Sequence, residues 1–165
     1  MIELILQGVP VHYGQNRISY MTSLSFIEII ILLNEGRLHI PTDIEASDIT
    51  QYEINDERLA EFREYILLNY QQGIININSI CINAFPEPVY KDGNICFPYE
   101  SLLFRLIDGQ HRCFAIRQAW EILKRENSLD TSLFSQLKIS TLIYPALSLD
   151  LELKAYRDLR LSQLN

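Results

Sequence analysis

The sequence predicts an α+β or α/β domain built on a mixed sheet, and three observations carry that expectation. Strand-like apolar runs and stretches with helical spacing follow one another as strands, helix, helix, strands, helix, strand, helix. "VYKDGNICF" (Val89–Phe97) places two strand-like runs around Asp92-Gly93, the dipeptide that type I′ hairpin turns prefer. "LLFRLIDGQHRCFAIRQAWEILKRE" (Leu102–Glu126) passes from a strand straight into a helix through Asp-Gly-Gln-His-Arg, five residues without an apolar side chain.

Taken in order, Ile2 to Tyr20 reads as short strands with turns at Gly8 and at "YGQN" (Tyr13–Asn16). Ser25, with Glu28 three residues on, forms a capping box for a helix running to about Asn34. Periodicity alone leaves strand open there, because "FIEIIILL" is β-branched and nearly all apolar. Pro41 to Ile54 is an acidic connection. Asn55 then caps the clearest amphipathic helix in the chain, with Asp56 and Glu57 in its first turn, Leu59, Phe62, Ile66 and Tyr70 at helical spacing, and Gly73 at its close.

"SICINA" (Ser79–Ala84) alternates as a strand, and the Asp92-Gly93 hairpin and "LLFRLI" (Leu102–Ile107) follow. The helix after the joint buries Cys113, Ile116, Ala119, Trp120 and Leu123. "KISTLIY" (Lys138–Tyr144) is one more strand, and Ser148 caps a last helix with Leu149, Leu153, Tyr156 and Leu159 on one face.

With 165 residues the chain is expected to be one domain. Hydrophobic content of 48% supplies a core, and a net charge of −7 argues against a long phosphate-tracking surface. The acidity is uneven. Eight carboxylates (Asp43, Glu45, Asp48, Glu53, Asp56, Glu57, Glu61, Glu64) stand between Asp43 and Glu64 against Arg58 and Arg63, whereas Glu100 to Glu126 holds five basic and four acidic residues. Three scattered cysteines make neither a disulfide framework nor a zinc motif; Cys81 and Cys96 read as small buried hydrophobes. The longest apolar run, Ile29–Leu33, is too short to span a bilayer, so a soluble, cytoplasmic protein without membrane partners is expected.

The joint has the layout of a phosphate site. Gly109 admits close approach of a ligand and dihedrals that other residues avoid. The N–H groups of Gln110, His111 and Arg112 would face an anion at the positive end of the helix, and His111 and Arg112 add side-chain donors. Asp108 suits a Mg²⁺ beside the phosphate, or the orientation of His111 or a water. The plain alternative makes Asp108 a helix cap, His111 a surface residue and Arg112 a partner of Glu121 or another acid.

The chain resembles the DGQHR-domain family, whose DndB-like members accompany DNA phosphorothioation and related DNA-modification systems, and which is similar to a branch of the ParB/sulfiredoxin superfamily. Asp108–Arg112 matches the pentapeptide completely. "QYEINDERLAEFREYI" (Gln51–Ile66) resembles the family's Gln-Arg-x-x-Asn-x-x-Arg box, with Gln51, Asn55, Arg58, Glu64, Tyr65 and Ile66 in place. "YGQNRISYMTSLSFIEI" (Tyr13–Ile29) and "ISTLIYPALSLDLELKAYRDL" (Ile139–Leu159) resemble its first and last units. Tyr52 stands where the family has Arg, Arg160 where it has Asn, and the chain lacks the helical C-terminal region of longer relatives, so a single minimal domain over residues 1–165 is expected.

The resemblance implies a compact ParB/sulfiredoxin-like α+β fold with helices flanking the sheet. It implies a nucleotide, ATP by preference, held with Mg²⁺ by Gly109, Gln110, His111, Arg112 and Arg58, with Asp108 and His111 as catalytic groups and Asp108 on the metal. It also implies a place in a DNA-modification or phage-defence system, as an ATP-hydrolysing or regulatory protein that meets DNA weakly or through partner proteins. A non-catalytic DNA- or protein-binding regulator and a nuclease or phosphotransferase are the alternatives. Gln110 stands where sulfiredoxins carry their reactive Cys, so their chemistry is not implied. Arg58 could equally pair with Glu61 within its helix, Arg117 reads as solvated, and Gln15 and Arg17 are candidates to reach the nucleotide. His12 and His39 read as surface residues and Trp120 as core.

Overall fold

The computed structural model describes residues 2–41 and 54–163. Gln51, Tyr52 and the carboxylates Asp43, Glu45, Asp48 and Glu53 lie outside the described residues. The elements are β1 (Glu3–Gln7), β2 (Val9–Gly14), β3 (Arg17–Ser25), α1 (Phe26–Asn34), β4 (Leu38–His39), α2 (Asp56–Asn69, extended by a 3-10 turn Tyr70–Gln72), β5 (Ile80–Phe85), β6 (Val89–Lys91), β7 (Asn94–Pro98), β8 (Leu103–Asp108), α3 (Gln110–Arg125), α4 (Thr131–Gln136), β9 (Lys138–Pro145) and α5 (Leu149–Gln163).

Two sheets result, of order β2-β3-β9-β5-β8-β4 and β1-β7-β6. The larger one is mixed: β5 pairs parallel with β9 and antiparallel with β8, and β4 is parallel to β8. The fold is α+β, with helices on both faces of that sheet. Asp92 and Gly93 have φ of 52° and 79°, the left-handed pair that a type I′ turn between β6 and β7 requires.

The capping box settles the ambiguous "FIEIIILL" as helix. Ser25 Oγ accepts from the Glu28 amide at 3.0 Å, and Glu28 Oε1 accepts from the Ser25 amide at 2.8 Å. α1 then buries Phe26, Ile29, Ile30 and Leu32.

β5 departs from its alternating pattern, since Ile80 to Ala84 are all buried. It lies at the centre of the sheet with both faces covered, so alternation there divides residues between two layers rather than between core and solvent. Ile80, Ile82 and Ala84, with Phe104 and Leu106 of β8, join the main core shared with α1–α4 and the small sheet. Cys81 and Ile107 join a second cluster with Tyr144, Leu147 and Ala155 of α5.

Three further expectations need correction. α3, which buries seven residues, is more sharply two-faced than α2, which buries Leu59 and Ile66. α4 is an additional element: Asp130 caps it by accepting from the Leu133 amide, and its fully buried Phe134 sits between Phe26, Tyr70 and Trp120, with ring centroids 5.3–5.8 Å away. On α5 the inward face is Glu152 and Ala155, with Leu151, Tyr156 and Leu159 beside them, while Leu149 is 46% exposed. A carboxylate with buried partners, described below, turns the helix by about one residue.

Candidate functional site

β8 ends at Asp108, and Gly109 is the N-cap of α3 with φ of 111° and no capping side chain. Asp108 is therefore not the cap. A Cβ on Gly109 would lie 2.5 Å from Cγ2 of Ile80 and 3.2 Å from Nη2 of Arg112. The joint is thus pressed onto β5, and glycine answers both the backbone angle and the missing space.

Arg112 is 5% exposed. Its Nη2 stands 3.3 Å from Oδ2 of Asp108, four residues back at the end of β8, rather than meeting Glu121, and its buried Nε has no hydrogen-bond partner among the described residues. Gln110, beside it, is also buried. Burial pushes the Cys113 thiol up to about 12 and raises that of Cys81, so neither cysteine next to the joint supplies a thiolate nucleophile.

The second half of the site comes from α2. The Asn55 amide donates to Nε2 of His111 at 2.9 Å, and Asn55 Oδ1 accepts from the Arg58 amide at 3.0 Å. Farther along, Nη1 of Arg63 donates to Oε1 of Gln118 at 2.9 Å. Contacts advance together along both helices, so α2 and α3 run side by side with their N-termini, the positive ends, at the same place. This brings Asn55 and Arg58 to Gly109, His111 and Arg112. Arg58 lies over the Phe62 ring, 5.7 Å from its centroid, with no ion pair to Glu61 among the described residues.

Beside Arg58 a groove of about 310 Å³ opens, walled on α2 by Arg58, Glu61, Phe62 and Tyr65 and opposite by Asn76, Ile77 and Asn78. Tyr65 helps to hold that wall, since its hydroxyl accepts from the Asn76 amide at 2.9 Å.

Burial first, then the guanidinium charges of Arg58 and Arg112, hold His111 below its ordinary value of 6.5, with Asp108 opposing them. The unfolded chain therefore takes up a proton at this residue before the folded domain does. Stability linked to His111 is complete above that ordinary value and is lost as pH falls below it toward the lowered folded value. Wild type is expected to lose stability relative to His111→Gln between pH 7.5 and 5, read from urea midpoints. A difference that does not change with pH would contradict the depressed basicity.

Other candidates fall elsewhere. Gln15 and Arg17 lie beyond the β9 end at Pro145, at least four residues along the strands from the level of Asp108, or about 13 Å at roughly 3.3 Å per residue. They do not join the joint. Arg117 lies over Phe114, 5.3 Å from the ring centroid, and His12 and His39 are exposed.

Sequence reasoning missed a buried polar cluster. Glu152 is 1% exposed; its carboxylate accepts from Arg105 Nε at 3.0 and 3.3 Å and from Asn83 Nδ2 at 3.1 Å. Asn83 also donates to the Leu147 carbonyl and accepts from the Leu147 amide. The legible signal was a polar residue in each of two core strands, Asn83 in "SICINA" and Arg105 in "LLFRLI".

Among the described residues no helix is long and apolar enough to cross a membrane, and no three His, Cys, Asp or Glu side chains gather as a metal cluster. Residues 10–163 match the family model DndB, described as DNA-sulfur modification-associated. No curated protein and no solved structure matches the chain.

Proposed function

The chain belongs to this DNA-sulfur modification-associated family, and from that membership and the geometry of the joint we propose a nucleotide-binding accessory protein of a DNA sulfur-modification system. The observation that carries the reading is Arg112. It is a buried guanidinium short of one acceptor, in the first turn of a helix whose glycine cap leaves its end without a capping side chain. An anion satisfies that arrangement, and a phosphate does so with two oxygens at once. Arg58 at the neighbouring helix end provides a second cation for an extended polyphosphate.

The ligand we favour is ATP with Mg²⁺. Phosphates would lie over Gly109–Arg112 and against Arg58, and the nucleoside would run into the groove between α2 and Asn76–Asn78. Asp108 is the carboxylate at the joint, and magnesium needs only one or two carboxylates when phosphate oxygens complete its shell. His111 is engaged by Asn55 and Asp108 by Arg112, so the reading favours nucleotide binding as a switch over fast hydrolysis. Such a switch could serve DNA modification or phage defence. With a net charge of −7, DNA would be met weakly or through partner proteins.

Calorimetry and thermal shift with ATP, ADP, CTP and GTP plus Mg²⁺ test this. Arg112→Ala is expected to weaken ATP binding by about 1.5–3 kcal/mol, the range for a hydrogen bond to a charged group. Asp108→Asn is expected to keep the fold and lose the Mg²⁺-dependent part of the affinity. If no nucleotide at millimolar concentration raises the melting temperature of the wild type, the reading fails.

A further inference from the structure

The contact between Asn55 and His111 joins two helices whose partner residues are far apart in the chain. Asn55 caps α2 through the Arg58 amide, and its own amide is taken by Nε2 of His111. A side chain on α3 therefore meets the backbone at the start of α2, at the residue whose own side chain accepts from the Arg58 amide. Arg58 and Asn55 are otherwise exposed, and no ion pair holds Arg58 among the described residues.

We infer that His111 is a positioning residue: as a neutral imidazole with its proton on Nδ1 it pins the start of α2, so that Arg58 completes the anion site. An Nε2 that accepts from an amide has no proton of its own, so the neutral ring must carry it on Nδ1. A protonated ring would set N–H against N–H and break the pin. The charges that act on the ring are those of Arg58 on α2, Arg112 on α3 and Asp108 on β8, two cations against one carboxylate. His111 is thereby occupied in holding a helix, a role different from the catalytic one that the family resemblance implies. The effect on ligand affinity rests on the nucleotide reading; the pin is a property of the free protein.

Nitrogen-15 spectra of the imidazoles, recorded on the full chain without nucleotide at pH 7.5, test the pin directly. The expected result is a His111 ring protonated at Nδ1 alone, and an Asn55 amide that exchanges with solvent more slowly in wild type than in His111→Ala. His111→Gln is the rescuing variant, because its Oε1 accepts at a similar reach. With MgATP as probe, His111→Ala is expected to bind about tenfold more weakly and His111→Gln within about threefold of wild type, the scale of one hydrogen bond.

A proton on Nε2, equal Asn55 exchange in wild type and His111→Ala, or a Gln variant as weak as the Ala variant would each overturn the inference. If wild type itself does not bind MgATP, the nucleotide reading falls, and the spectra and exchange rates still decide the pin. If His111→Ala does not fold, the wild-type tautomer and the Gln variant decide it.

Discussion

Gly109→Ala is expected to remove about 2–5 kcal/mol of folding stability. Two independent costs add. A residue with a Cβ at φ of 111° is in a region that disfavours L side chains by roughly 1–2 kcal/mol. The new methyl would also sit 2.5 Å from Ile80 Cγ2 and 3.1 Å from Ile80 Cβ, and overpacking of a full core costs typically about 1–3 kcal/mol. Ile80 is 1% exposed on the central strand and cannot swing away. Against a total stability of about 5–15 kcal/mol, one methyl group removes a large share of what holds the domain folded.

The clash also predicts a coupling. Ile80→Ala alone opens a cavity and destabilises, yet combined with Gly109→Ala it removes the nearer of the two Ile80 contacts. The double variant should be more stable than the sum of the single effects requires. Urea unfolding of the four proteins measures this. A Gly109→Ala change within about 0.5 kcal/mol of wild type would mean that the joint is not pressed onto β5.

Glu152→Ala is expected to cost about 2–4 kcal/mol. Breaking a buried ion pair by removing one partner typically costs about 3–5 kcal/mol, because the remaining charge is left without compensation. Arg105 lowers that figure here, since its side chain is 23% exposed and can regain water. Asn83 raises it again, being 1% exposed and losing an acceptor. Glu152→Gln keeps the shape and part of the hydrogen bonding and should lose less. Denaturant midpoints with an unchanged m-value check the pair, and a near-neutral Glu152→Ala would reduce the cluster to an incidental contact.

Local rules made much of this molecule legible before its structure. Ser25 with Glu28, Asn55 with Asp56 and Glu57, and Asp92-Gly93 each act within a few residues, and each element they announce is present. The α3 joint was legible because Gly109 and Arg112 adjoin in sequence. What escaped depends on contacts between distant parts of the chain. Nothing near Glu152 in sequence says that Asn83 and Arg105 will receive it, so the buried face of α5 was read from its leucines. Nothing near Asn55 says that His111 will take its amide. α4 is six residues long, too short for its spacing to speak, and is held by Phe134 among aromatic rings from three other helical segments.

The central position of β5 also has a kinetic meaning. Its neighbours come from stretches that follow much later in the chain: Cys81 faces Asp108 on one side, and Ile80 faces Thr141 on the other. Closing such long loops precedes any reward from the contacts they make, which places this topology among the slower folders. Until β9 arrives, β5 is an open, apolar edge and a hazard for misassociation. The glycine joint takes its shape by pressing on Ile80 of this same strand. The joint therefore takes its shape only once β5 has paired with β8, and recovery of binding at the proposed anion site during refolding is expected to trail the appearance of helix.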